Sequence, residues 1–196
     1  MITRRALLVL AATLPLALAA CETTPPPKSL PGMSFAHLGQ MRLAVSQIDV
    51  VSSYKSPMAA PNVEHLMNIT PESAARTWAK DRLVAVGGPL RAEFKIIDAP
   101  VTEAELKTDK GFSGMFKKEQ SARYNGQIAV ELSIKDNRNM TVAQAEAKAF
   151  RSQTVPEDVT LNQRDQVWYE IVESLMKEID ARMTENMRAY MASYIR

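Results

Sequence analysis

The feature that most constrains this chain is an apolar stripe near its C-terminal end. Trp168, Ile171, Val172, Leu175, Ile179, Met183, Met187, Tyr190, Met191 and Tyr194 recur at three- and four-residue intervals. That period marks one face of an α-helix. Glu173 with Lys177, and Glu178 with Arg182, stand four apart and support it. The spacing predicts a helix from Asn162 to about Tyr194, about 48 Å long at 1.5 Å per residue. Its stripe must be covered over most of that length. A small sheet falls short of it, so the far end is expected to project. Met187 and Met191 are then candidate contact residues, because methionine suits adaptable binding surfaces.

The cover comes from alternating segments. Leu90, Ala92, Phe94 and Ile96 alternate with Arg91, Glu93 and Lys95, the pattern of a half-buried strand. Ile128, Val130, Leu132 and Ile134 repeat it more strongly, and Asp136-Asn137-Arg138-Asn139 supplies turn residues. Ala143, Ala145, Ala147 and Ala149 then recur at period two. Alanine, glutamine, glutamate and lysine favour a helix there by propensity, but strict alternation after a turn favours a strand. Arg42 to Tyr54 reads as a further strand, with a change of phase between Val45 and Ile48 that predicts a bulge.

A shorter helix is predicted from Thr70. Thr70 can cap it, Pro71 fits the first helical position and Glu72 favours the dipole. Ala74, Ala75, Trp78, Ala79 and Leu83 follow at helical spacing, and Gly87-Gly88-Pro89 is the expected stop. The order β-α-β-β-β-α places two helices on one face of a four-stranded, mainly antiparallel sheet, an α+β fold with one charged open face. Both tryptophans are expected in the core.

The N-terminal end carries an address. Arg4 and Arg5 precede an apolar run from Ala6 to Leu18, and the run ends in Leu18-Ala19-Ala20-Cys21. This is the layout of a secretory signal, too short for a spanning helix. Cys21 is the only cysteine, which leaves none for a disulfide or a thiolate metal site. Leu-Ala-Ala-Cys resembles the lipobox of bacterial lipoproteins. That resemblance implies cleavage after Ala20 and lipidation of Cys21. Two acyl chains suffice for lasting attachment, and Glu22 favours the outer membrane. Residues 1–20 are thus a signal peptide, and 21–32 a lipidated, proline-rich tether reaching about 30 Å. Residues 33–196 are a single periplasmic domain.

Charge excludes one class of partner. The chain has 24 Lys and Arg against 22 Asp and Glu, and Arg4 and Arg5 account for the difference. A near-neutral domain offers no nucleic-acid footprint. No phosphate loop, dinucleotide fingerprint or nucleophile elbow is present, so no catalytic, cofactor or metal residue is expected. Glu64-His65 is the nearest approach to an acid-base pair, and adjacent residues rarely converge on one point. Phe112, Met115 and Phe116 lie among Lys107, Lys110, Lys117 and Lys118. Apolar residues set among lysines suit contact with a membrane surface or a partner.

Pro61-Asn62-Val63-Glu64-His65, followed by Pro71, Trp78, Arg82-Leu83, Ala85 and Gly87, resembles a family of uncharacterised proteobacterial lipoproteins. The likeness continues through Phe116 to Gln120 and Pro156-Glu157. It implies no activity. In architecture the chain is similar to auxiliary lipoproteins of ABC-type lipid transport and to the lipoprotein that plugs the lipopolysaccharide-assembly barrel. These likenesses imply an envelope protein or lipid as partner. A structural or stress-response lipoprotein without a lipid ligand is the alternative, and a periplasmic hydrolase the remote one.

Overall fold

Two capping boxes set where the helices begin. The computed structural model describes residues 30–106 and 120–196. Helix α1 (Pro71–Arg82) starts at Thr70, whose hydroxyl accepts from Ser73 N while the Ser73 hydroxyl accepts from Thr70 N. Helix α2 (Leu161–Tyr190) starts at Thr160 in the same way, with Gln163 returning the bond. Each box satisfies backbone donors that the first turn leaves free. The expected stop at Gly87-Gly88 is not used. Helix α1 ends at Arg82, and the chain runs straight into strand β3 (Leu83–Ala85). Pairing with β1 (Met41–Leu43) decides that end: the two strands run parallel, Met41 opposite Leu83.

The phase change between Val45 and Ile48 is a change of sheet rather than a bulge. β1 belongs to the two-stranded sheet with β3, whereas β2 (Ile48–Ser52) pairs parallel with β4 (Arg91–Asp98) in the main sheet. The main sheet has five strands rather than four. The addition is β5 (Val101–Glu105), whose Val-Thr-Glu-Ala-Glu sequence shows no clear alternation. β4 and β5 both run antiparallel to β6 (Gln120–Lys135), β4 along its second half and β5 along its first. Together they line one side of β6, interrupted at Ala99-Pro100, as expected where proline cannot donate to the ladder.

β7 (Thr141–Pro156) flanks β6 on its other side for the whole length. The Ala143–Ala149 region is therefore strand. The hairpin turn is closed by Asp136, whose Oδ1 accepts from Arg138 N and Met140 N, each at 2.9 Å. β6 starts eight residues before the expected Ile128. Its first half buries Ala122, Tyr124 and Gly126, a pattern that small residues conceal.

Hairpin length corrects the expected projection of α2. Two 16-residue strands span about 54 Å at 3.4 Å per residue, against about 45 Å for the 30-residue helix. Ala145, Ala147 and Ala149 are buried on the face toward α2, and small side chains let the helix approach closely. Gly126 continues that trough. A Cβ there would stand 2.6 Å from Ile171 Cγ2 and 3.0 Å from Leu175 Cδ1. The core runs without a break from Phe35 to Met191, with Trp78 and Phe94 ring centroids 5.4 Å apart. Glu178 meets Arg182 as expected and also reaches Arg151 on β7.

Gly126→Val should therefore push α2 off the sheet. Urea denaturation should show a loss of about 1–3 kcal/mol, the usual range for overpacking, whereas an exposed alternate such as Gln144→Val should change little.

Candidate functional site

Met187 and Met191 are not contact residues of an exposed helix end. Both are fully buried, as is Met183. The long hairpin backs the helix, and the last residues cover its end, where Leu43 bridges Ile195 and Ala44 N donates to Tyr194 O. Cys21, Phe112, Met115 and Phe116 lie outside the described residues.

What the structure does assemble is a clamp on the segment that enters the domain. Arg82 leaves the last turn of α1 almost fully buried. Its Nε donates to Asp180 Oδ1 of α2 at 2.8 Å, and Trp78 Nε1 donates to the same oxygen at 2.9 Å. The remaining guanidinium donors reach Thr184 Oγ1 at 3.2 Å, Leu38 O at 2.6 Å and Gly39 O. One cation thus ties α1, α2 and the entering chain together. Beside it, Asp81 Oδ2 accepts from Phe35 N at 2.8 Å and Ser34 Oγ at 3.1 Å.

Two clefts flank this segment. One of about 360 Å³ lies between Leu30–Gly32, Met67–Ile69 and the α2 residues Asp165, Trp168 and Tyr169. The next, about 600 Å³, follows Gly32 to Leu38 along α2 as far as Asp180. Trp168 sits edge-on to Tyr124, with Arg164 over its ring at 5.4 Å.

Glu64 forms a second buried node, 3% exposed. Tyr54 Oη donates to its Oε1 at 2.5 Å and Ser56 Oγ at 2.6 Å. Asn62 Nδ2 donates to both oxygens at 3.2 Å, and Val101 N to Oε2 at 3.1 Å. Burial acts to raise the pKa of this carboxyl. The hydrogen bonds from Ser56, Tyr54 and backbone N–H groups outweigh it and hold the group below the ordinary glutamate value. Burial and the charge of Glu64 push the Tyr54 phenol well above its usual value. His65 does not join this node as an acid-base partner: its Nδ1 is buried without a hydrogen-bond partner among the described residues. The node stitches the loop before α1 to the start of β5, where Val63 N donates to Val101 O. Among the described residues, no group of three His, Cys, Asp or Glu is placed to hold a metal ion.

Sequence reading missed both nodes as units. Asp180 left one trace, a charge directly after Ile179 on the edge of the apolar stripe. Arg82 and Glu64 left none beyond their places in the resemblance motif.

No family model matches the chain, and no curated protein matches it. It is similar to two solved lipoproteins. One is the rare lipoprotein B from Shewanella oneidensis, at 14% identity over 74% of this chain and 95% of that one, with a TM-score of 0.39. The other is a minor lipoprotein from Acinetobacter baumannii, at 11% identity over 74% and 94%, with a TM-score of 0.36. Likeness at this level carries no argument about function.

Arg82→Met should leave Asp180 and two carbonyls without their cation. It should cost about 3–5 kcal/mol in urea denaturation, and Arg82→Met with Asp180→Leu should cost less than the two singles added. For Glu64 the folded pKa is depressed, so its stabilisation is present above the unfolded value of about 4.3 and is lost as pH falls through the lower folded value. Glu64→Gln should thus cost about 2 kcal/mol at neutral pH, and its deficit against the parent should shrink below about pH 4.

Proposed function

We propose that this chain is a lipid-anchored, non-enzymatic envelope lipoprotein. Its domain acts by contact with an envelope protein or lipid, as an accessory of lipid or lipopolysaccharide transport or of outer-membrane assembly. The carrying observation is Leu18-Ala19-Ala20-Cys21, with Cys21 the only cysteine in the chain. A lipid there would lie nine residues before Leu30. Extended polyproline geometry would make that a reach of about 28 Å.

The clamp supports the reading in mechanical terms. Phe35, Leu38 and Gly39 are bonded to Asp81 and Arg82, so a pull from the anchor meets the two helices together rather than peeling one strand. The buried polar groups also support a contact role over chemistry. The acceptors of Glu64 and Asp180 are taken up by structural donors and hold loops and helices in place.

Labelled palmitate in growing cells tests the anchor. Label should appear on the parent protein and vanish in Cys21→Ser, which should move to the soluble periplasmic fraction. A photo-crosslinker at Phe150, exposed on the open face of β7, should capture an envelope protein or lipid. An unlabelled parent protein would end the lipoprotein reading.

A further inference from the structure

We propose that the cleft beside the C-terminal end of α2 binds a phosphate-bearing anion held between Arg42 and Arg196. The cleft is about 590 Å³ and is walled by β1, the loop Val86–Leu90 and residues Ser193 to Arg196. It lies at the other end of α2 from Leu30, and the inference is independent of the lipid anchor.

Strand register carries the argument. Leu43 and Ile195 form an antiparallel bridge, Ala44 N donates to Tyr194 O at 2.8 Å, and Arg196 N donates to Arg42 O at 2.9 Å. Arg42 and Arg196 are therefore directly opposed across two strands. Their side chains share the face away from buried Leu43. Such a pair holds its Cβ atoms about 5 Å apart, and like charges in that position repel. Both side chains are exposed to solvent. No side-chain carboxylate lines the cleft, and neither arginine makes an ion pair among the described residues. Arg196 Nη1 only reaches the carbonyls of Ser193 and Ile195, at 3.2 and 3.3 Å.

The facing wall is built close. Gly88 has φ +130°, and a Cβ there would meet Ala44 O at 2.8 Å. The Gly88 N–H donates to no group among the described residues. Two planar guanidinium forks and a free amide suit the several acceptor oxygens of a phosphoryl group. Such a group would turn the repulsion into a bridge. The space exceeds that of the bare ion and leaves room for a substituent on the phosphate. A lipid headgroup and a soluble phosphate share that chemistry.

The test uses the full chain carrying Cys21→Ser, free of detergent, so that no acyl chain binds vesicles by itself, with Arg42→Gln and Arg196→Gln on that background. Calorimetric titration with inorganic phosphate is compared with chloride at equal ionic strength. Cosedimentation compares phosphatidylcholine vesicles with and without phosphatidic acid. Binding in the phosphate arm assigns a soluble source, and binding only to phosphatidic acid vesicles assigns a headgroup. Either supports the proposal when both variants weaken it about tenfold or more. Arg42→Gln should also raise the melting temperature in phosphate-free buffer, because the repulsion is gone. The proposal is overturned by no binding in either arm, by a response that chloride reproduces, by variants that bind like the parent, or by a phosphate-free melting temperature that Arg42→Gln fails to raise.

Discussion

Everything in this fold depends on laying a 30-residue amphipathic helix against a hairpin long enough to cover it. Helix α2 buries eight side chains, from Trp168 to Met187. At about 1.5–3 kcal/mol each, their gross contribution is on the order of 12–24 kcal/mol. That exceeds any polar contact in the structure. The alanines of β7 and Gly126 of β6 make the contact close, since larger side chains there would hold the helix away from the sheet.

The polar nodes give this packing its connectivity. Apolar burial is non-directional and would accept several placements of the entering segment and of the loop before α1. Arg82 accepts one placement only, because its donors must meet Asp180, Thr184 and two carbonyls together. Glu64 does the same for the loop from Tyr54 to Val63 and for the start of β5. A buried charge that loses its partners is costly, so each node selects one arrangement while adding modest net stability.

Much of the architecture was legible in the residues. The α+β class, the Thr70 cap, the Asp136 turn and the strand over the alanine row follow from periodicity and turn chemistry, which are local. The extra strand β5, the early start of β6 and the end of α1 at Arg82 do not. Val101 to Glu105 is a strand because β6 has an edge to fill there, and Leu83 is extended because β1 lies alongside. Of the candidate site, the sequence reading supplied Cys21 and the segment around Phe112, both outside the described residues, and placed Met187 and Met191 wrongly.

By itself the sequence determined the two helices and the strands with a clear period, which of their faces are apolar, and that Cys21 sits behind a lipobox-like run. Those properties repeat every two to four residues and can be read along the chain. Only the tertiary structure decided that the hairpin outlasts the helix and buries its methionines. It alone brought Arg82 to Asp180 across 98 residues and set Arg42 opposite Arg196. Such pairings depend on where distant strands and helices come to lie, and no local spacing records that distance.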